Sequence, residues 1–225
     1  MEIEAVHLKK RYGKKIVLQD INFSVREGQC IGIVGVNGSG KSTLLSILAG
    51  VMKADEGQWL FNQQPVFHKK RADNLRIGYV PQQNPLMEEL TAWDNLKLWY
   101  CESSLDIKKE LEQGMLAMLG ISEFLKVPVH KLSGGMKKRL SIACAAANNP
   151  QLFIMDEPGA ALDMLCKERI YNYIQEFKKK QGIILLATHE EPEIRLCDTI
   201  YILKNGKLEQ QEYEGNIHKL VGKLL

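Results

Sequence analysis

The sequence lacks several features that would restrict its class. No apolar run approaches the ~20 residues that a membrane-spanning helix requires, and the first four residues, MEIE, have neither the basic start nor the apolar stretch of a signal peptide. The chain has 5 cysteines, an odd number, and no CxxC pair. We therefore expect reduced thiols in a cytoplasmic protein that has no transmembrane segment of its own.

Charge of one sign is also scarce. The chain has 30 Lys and Arg against 27 Asp and Glu, which leaves a formal net charge of +3. This small, dispersed excess gives no electrostatic reason to expect direct nucleic-acid binding. With 225 residues, of which 45% are hydrophobic and 25% charged, the chain has the composition of an ordinary globular protein with a full core.

Antiparallel β-structure is predicted near both ends of the chain. Two β-rich segments, 3–8 and 16–25, surround a Tyr-Gly-Lys turn signal. Residues 199–203 and 207–210 surround an Asn-Gly dipeptide, which is the turn chemistry of a hairpin. Each pair of segments therefore predicts two adjacent antiparallel strands.

The middle of the chain has the pattern of a parallel α/β core. A buried strand at Cys30–Val34 leads through a glycine-rich loop into a helix at Lys41–Leu48, and further buried strands are predicted at 152–155 and Ile183–Ala187. Between them, residues 85–149 carry apolar residues at helical spacing and predict a helical insertion. The helices predicted inside it are 93–100, 107–119 and 136–147.

A phosphate loop is predicted at residues 35–42, GVNGSGKS, which match G-x-x-x-x-G-K-[ST] between a buried strand and a helix. The glycines let backbone N–H groups converge on phosphates, and the helix start adds partial positive charge. Lys41 would reach the β- and γ-phosphates, and the Ser42 hydroxyl would bind Mg²⁺. The residues expected at the nucleotide are Gly35, Asn37, Gly38, Ser39, Gly40, Lys41, Ser42 and Thr43.

Two adjacent acids, Asp156 and Glu157, end the strand predicted at 152–155. Adjacent strand residues face opposite sides, so the two carboxylates can have different roles. Asp156 suits the Mg²⁺ shell and Glu157 is then free to polarise the attacking water. An Asp-Glu pair can also be a solvated turn, but a P-loop fold needs such an acid on a neighbouring strand.

Further motifs complete a pattern of order and spacing. Gln82 follows Tyr-Val-Pro, the signature motif LSGGM occupies residues 132–136, Asp163 follows Ala-Leu, and His189 lies in Ala-Thr-His-Glu. With the phosphate loop, these motifs resemble the ATP-binding cassette family from Leu8 to about Leu208. The resemblance implies an α/β fold within a single domain, 1–225. Its P-loop NTPase core has a mostly parallel sheet, an N-terminal antiparallel β subdomain and an inserted helical subdomain at about 85–149.

The resemblance also implies roles for single residues. Tyr12 would stack on adenine, although an isolated turn tyrosine would be the ordinary interpretation, and Val17 would contact the nucleotide. Gln82 would sense Mg²⁺ and the attacking water, Asp163 would lie in the D-loop, and His189 would be the switch histidine. The implied catalytic residues are Glu157, His189 and Gln82, and the implied metal ligands are Ser42, Gln82 and Asp156. The other histidines, expected to be structural, are His7, His68, His130 and His218.

The signature motif is followed by three basic residues, 137–139, in the first turn of a predicted helix. Cations there oppose the helix dipole, so either they form a solvated basic face or an anion relieves them. The resemblance implies that Ser133, Gly134 and Gly135 donate to the γ-phosphate held by a second subunit. Two chains would then pair head to tail about a two-fold axis. Met136 replaces a glutamine common in the motif, but activity is still expected.

The resemblance implies ATP and Mg²⁺ as cofactors, and a transmembrane permease and a second ATPase subunit as partners. The chain would lie at the cytoplasmic face of the cell membrane. The segment SGGMKKRL at 133–140 is similar to export-type cassettes, which favours an exporter subunit over an importer. Translation and repair cassettes usually carry further sequence. A kinase or GTPase would not explain the signature motif, and a GTPase would need an absent Asn-Lys-x-Asp.

The segment from Gln82 to about residue 93 combines a nucleotide-sensing glutamine with large apolar residues near a subdomain boundary. We expect it to bind the membrane subunit, whereas the alternative is that these side chains pack the helical insertion. The apolar residues concerned are Leu86, Met87, Leu90 and Trp93.

Overall fold

Two β-sheets and eight α-helices make up the described part of this computed structural model, which covers residues 1–66, 75–213, 215 and 217–224. The strands are β1 (Glu2–Tyr12), β2 (Lys15–Arg26), β3 (Cys30–Val34), β4 (Glu56–Phe61), β5 (Gln64–Pro65), β6 (Ile77–Val80), β7 (Leu152–Asp156), β8 (Ile183–Ala187), β9 (Thr199–Lys204) and β10 (Lys207–Gln211). The helices are α1 (Lys41–Leu48), α2 (Ala92–Tyr100), α3 (Ile107–Gln113), α4 (Met115–Met118), α5 (Gly134–Ala145), α6 (Met164–Lys179), α7 (Glu191–Ile194) and α8 (Ile217–Leu224). No helix within these ranges is both long and apolar enough to cross a membrane. His68 and the side chain of His218 lie outside the described residues.

The smaller sheet is antiparallel and has the order β2-β1-β4-β5. Ile21, Phe23 and Val25 alternate with exposed polar residues along β2, so one face of the strand is buried. Gly13, with a φ of 58°, makes the tight turn between β1 and β2. The predicted antiparallel pair is therefore confirmed, and β4 and β5 extend it.

The larger sheet has the order β10-β9-β3-β8-β7-β6, and its pairs are parallel except for the β9–β10 hairpin. All residues of β3, β7 and β8 are buried, because both faces of the sheet are covered. Leu152 and Ile154 pack in one core with α1, whereas Phe153 and Met155 pack in a second core with the helical region. Because β3, β8 and β7 run parallel, their carboxyl ends lie at the same edge of the sheet, where ligands bind in such folds.

The helices between β6 and β7 differ in detail from the prediction. The helix predicted at 107–119 is broken at Gly114, which is extended and whose position is crowded by Glu110. The Glu110 carboxylate accepts a hydrogen bond from the Met115 amide (2.9 Å), which stabilises the break. The helix predicted at 136–147 begins earlier, because the Ser133 hydroxyl accepts from the Met136 amide and caps α5.

Candidate active site

A cleft of about 540 Å³ lies at the carboxyl edge of the parallel strands. It is lined by Tyr12, Lys15, Val17, Asn37, Gly38, Gly40, Lys41, Ser42, Thr43, Gln82, Glu157 and His189. Every one of these residues was predicted at the nucleotide site except Lys15. No motif includes this lysine, which is the first residue of β2 and pairs with Tyr12 across the β1–β2 turn. The phosphate loop therefore shares one cleft with Gln82, Glu157 and His189.

The phosphate loop is shaped for an anion. Gly38 and Gly40 have φ angles of 78° and 108°, and a Cβ on Gly40 would lie 2.8 Å from Cγ1 of Val17. Helix α1 starts directly after Gly40 with no side-chain cap and no acid in its first turn. Ser39 Oγ is buried and lacks a hydrogen-bond partner among the described residues. The free amides of the helix start and this hydroxyl fit a polyphosphate.

Lys41 is almost fully buried at the first position of α1, with 6% of its surface exposed. Its Nζ donates to the carbonyl oxygens of Gly35 (2.8 Å) and Val36 (3.4 Å). These two backbone oxygens hold the ammonium group beneath the phosphate loop. Its charge is available to an anion in the cleft, where the low local dielectric strengthens the attraction.

Asp156 and Glu157 have separate environments although they are adjacent. Asp156 ends β7 and is buried, and burial raises its pKa while a hydrogen bond from Ser42 opposes the shift. Glu157 has a φ of 49°, so the chain leaves the strand conformation there and turns the second carboxylate toward the cleft. The amide of Glu157 donates to the Ala187 carbonyl (2.9 Å), which fixes this turn against β8.

Two predicted catalytic side chains converge on the Glu157 carboxylate. Gln82 Nε2 donates to Oε2 at 3.1 Å, and Nδ1 of His189 lies 3.4 Å from Oε1. Glu157 is nearly buried whereas His189 is exposed. The arrangement can hold a carboxylate at a fixed position beside the phosphate loop, within reach of a water molecule in the cleft.

The residues predicted to bind Mg²⁺ offer oxygen atoms, which this ion prefers. The Ser42 hydroxyl is hydrogen-bonded to the Asp156 carboxylate, and Gln82 bonds Glu157 through its amide nitrogen, so its amide oxygen is the atom that can act as a metal ligand. The described part of the chain contains no group of three or more His, Cys, Asp and Glu that could hold a metal. These few protein oxygens fit an ion that completes its shell with phosphate and water.

The signature motif and the D-loop do not line the cleft. Gly135 and Asp163 lie side by side, since a Cβ on Gly135 would be 3.5 Å from an Asp163 oxygen. Asp163 caps α6 through the Cys166 amide (2.9 Å), and the position of Gly134 is open on its Cβ side. Ser133, Gly134, Gly135 and Asp163 therefore form a second group of predicted nucleotide residues, separate from the phosphate loop.

The basic turn after the signature motif is not a solvated face. Lys138 and Arg139 are buried, and each of the three cations has a partner within the chain. The interpretation of residues 137–139 as a solvated face is therefore wrong for the last two, because both are buried and donate to backbone carbonyls. The pairings are Lys137 with Glu88 (2.7 Å), Lys138 with the carbonyls of Pro81 and Gln82 (3.1 Å each) and Arg139 with the carbonyl of Leu119 (2.7 Å).

Glu193 of α7 is a buried acid that no sequence motif includes. It lies behind the loop that follows Glu157. A Cβ on Gly159 would be 2.4 Å from its Oε1, and the buried hydroxyl of Tyr171 lies beside the same site. Neither oxygen meets a donor at good hydrogen-bond geometry, although Thr188 and the Gly159 amide lie nearby. Burial raises the pKa of Glu193 to about 7, with Glu190 raising it further and Lys167 opposing.

The shift at Glu193 makes the folding stability depend on pH. The pKa of Glu193 in the folded chain, about 7, exceeds its ordinary value of 4.5. The contribution of this carboxyl to the free energy of unfolding is therefore fully present below its ordinary pKa and is lost as the pH rises through its folded pKa. We expect Glu193→Gln to be more stable than wild type at pH 8, by on the order of 2 kcal/mol, and nearly equal at pH 5. Chemical denaturation at both pH values measures this.

The matched control for this prediction is Glu209→Gln, the same change at an exposed position on β10. It should leave the difference in stability between pH 5 and pH 8 as in wild type. An unaltered difference in Glu193→Gln would show that this carboxyl does not control the pH dependence.

Comparison with known proteins identifies the family. The ABC transporter family model matches residues 18–160. The chain is 37% identical to a Nod factor export ATP-binding protein I of Sinorhizobium fredii, over 97% of this chain and 64% of that protein. It is 32% identical to the lantibiotic transport ATP-binding protein SrtF of Streptococcus pyogenes, over 93% and 90% of the two chains.

Solved structures agree with the sequence matches. An ATP-binding subunit of an ABC transporter superposes with a TM-score of 0.83 at 29% identity, covering 99% of this chain and 94% of that one. The dimeric post-hydrolysis cassette MJ0796, bound to ADP and Pi, superposes with a TM-score of 0.82 at 27% identity, covering 93% and 97%. The predicted family and α/β fold are thus confirmed, and this chain belongs to the ABC transporter family.

Proposed function

We propose that this chain is the ATPase subunit of an exporter, and that it pairs with a second copy around two MgATP molecules and drives a permease at the cytoplasmic face of the membrane. The observation that carries the proposal is the convergence of Gln82 and His189 on Glu157 beside the phosphate loop. Relatives named for Nod factor export and lantibiotic transport favour export.

Residues 1–225 would form one ABC ATPase domain, with a helical subdomain at about 85–149 inserted in the α/β core. Its helices share a buried apolar cluster with β7, β8 and α6, which supports one cooperative unit rather than two.

The cleft would hold ATP with its base near Tyr12 and its phosphates at α1. Tyr12 is 49% exposed and its hydroxyl donates to Sδ of Met52 (3.1 Å), which orients the ring, and the Lys10 ammonium lies 5.9 Å from the ring centroid. Val17 would pack against the sugar or base edge. The helix start, Lys41 and Thr43 would neutralise the phosphates.

Hydrolysis would proceed by attack of water on the γ-phosphate. Glu157 would accept the proton of that water, because Gln82 and His189 hold its carboxylate at the cleft. Gln82 would orient the carboxylate, and His189 would contact the transferred phosphoryl group. Ser42 and Asp156, with Gln82, would hold Mg²⁺, which would lower the charge of the phosphates.

The second group of residues would complete the site in another chain. Ser133 Oγ accepts from the Met136 amide, and its hydroxyl proton remains free to donate. Because Ser133, Gly134 and Gly135 do not line their own cleft, they would bind the γ-phosphate of the partner in a head-to-tail dimer. Asp163, beside Gly135, would lie in the same interface.

Membrane docking would use Met87 in the segment after Gln82. Its side chain is 58% exposed, whereas Leu86 is half-buried against the core and suits the packing alternative. We expect Met87→Glu to reduce by at least tenfold the fraction of tagged chain that sediments with membranes of the source cells, because a charge would replace an apolar contact. Hydrolysis by the isolated chain should not change. The measurement is sedimentation followed by immunoblotting.

The control for docking is Val51→Glu, which places the same charge at another apolar side chain, 71% exposed, just after α1. It should sediment as wild type does. If Met87→Glu also sediments normally, the docking surface lies elsewhere, and if it loses basal hydrolysis, the side chain has a structural role.

A further inference from the structure

The strongest unassigned feature is the buried amine of Lys138. This lysine is the fifth residue of α5, at the start of the second turn, and only 5% of its surface is exposed. Its Nζ donates to the carbonyl oxygens of Pro81 and Gln82, at 3.1 Å each. Burying a lysine costs free energy unless its donors are satisfied, and these two carbonyls pair two of its three donors.

The contact holds the segment that carries the catalytic glutamine. Gln82 lies just beyond β6, in a stretch without helix or strand that continues to residue 91. Its backbone oxygen accepts from Lys138, and its side-chain Nε2 donates to Glu157 (3.1 Å). Two hydrogen bonds in series therefore join the start of α5 to the carboxylate.

The charges around Lys138 support a position close to the reacting groups. Burial lowers its pKa, while the negative charges of Asp156, Glu157 and Glu193 raise it. The amine also contributes to the electrostatics of Asp156, whose pKa it lowers. No hydrogen bond joins Lys138 to any of these carboxylates within the described residues, so it acts on them through the backbone and through space.

We propose that Lys138 is a positioning residue, which fixes Gln82 from the N-terminal part of α5 and thereby orients Glu157 for hydrolysis. The inference rests on the proposed ATPase mechanism of this cleft. It also adds a connection: Ser133, which would bind the partner's nucleotide, caps the same helix. A shift of that helix start on nucleotide binding would reach the chain's own catalytic carboxylate through Lys138 and Gln82.

The test is a double-mutant cycle on MgATP hydrolysis. Lys138→Met keeps the length of the side chain and removes its donors, and it should lower kcat by about tenfold or more with KM changed by less than about twofold. In a Gln82→Ala background the same substitution should cost less than about twofold, because its path to Glu157 is already gone. Lys138→Arg, which restores donors, should recover part of kcat.

The control is Lys137→Met on the adjacent position. This lysine pairs with the exposed Glu88, so its loss should leave kcat within about twofold of wild type. Thermal melting and titration of active sites with a fluorescent ATP analogue correct kcat for unfolded protein. If Lys138→Met does not fold, Lys138→Gln takes its place in the cycle.

Two outcomes overturn the inference: a kcat for the folded Lys138 variant that equals wild type, or losses that multiply with those of Gln82→Ala. Failure of the proposed function is a different result, since wild-type chain itself would then not hydrolyse MgATP.

Discussion

Glu157→Gln should lower the rate of MgATP hydrolysis by about 10²-fold or more and leave ATP affinity unchanged. The amide has the size of the carboxylate and cannot accept a proton from water. Lys41 and the loop amides, which would bind the phosphates, are untouched by the change. Steady-state turnover and equilibrium binding of a fluorescent ATP analogue measure the two quantities separately.

The variant should also accumulate a nucleotide-bound dimer, because ATP that is not hydrolysed keeps both composite sites closed. Light scattering with MgATP would detect the doubled mass. Glu112→Gln, the same chemical change at an exposed position of α3, should turn over as wild type does. Wild-type turnover in Glu157→Gln would exclude this carboxylate as the base and remove the main support for the proposed mechanism.

The parts of the site that sequence predicts are those whose chemistry requires residues close together in the chain. The phosphate loop needs its glycines, lysine and serine at fixed spacing between a strand and a helix, so both Cys30–Val34 and Lys41–Leu48 were placed correctly. The acids at the end of β7 were found for the same reason. Their different environments were not predictable, because the positive φ of Glu157 and the burial of Asp156 depend on neighbouring strands.

The parts that sequence misses depend on contacts between distant segments. Strand β6 has four residues at a sheet edge, which is too short for a periodic pattern, and it exists because it pairs with β7. In the sequence, Lys138 and Glu193 look like surface charges. In the structure both are buried, Lys138 against the carbonyl of Gln82 and Glu193 against Gly159. The break at Gly114 is set by a carboxylate that competes for the next amide. Propensity alone does not reveal such contacts.

Ser133→Arg should prevent formation of the ATP-bound dimer that Glu157→Gln accumulates, weakening dimerisation by on the order of 10²-fold or more. The arginine would fill the space meant for the partner's γ-phosphate and would remove the free hydroxyl donor. It would also remove the cap of α5, which costs about 1 kcal/mol of stability. Ser133→Ala loses the cap without adding bulk, so comparing the two variants separates loss of the cap from obstruction of the interface.

Mixing variants gives the sharper test of whether the site is shared between chains. Lys41→Ala and Ser133→Arg chains should each be inactive alone, since every composite site in either dimer lacks one half. A mixed dimer would contain one site with both defects and one intact site, formed by Lys41 of the Ser133→Arg chain and Ser133 of the Lys41→Ala chain. Hydrolysis should therefore reappear on mixing, and its rate should vary with the product of the two concentrations. If each chain instead uses its own Ser133, the mixture will remain as inactive as its components, and the head-to-tail arrangement will be wrong.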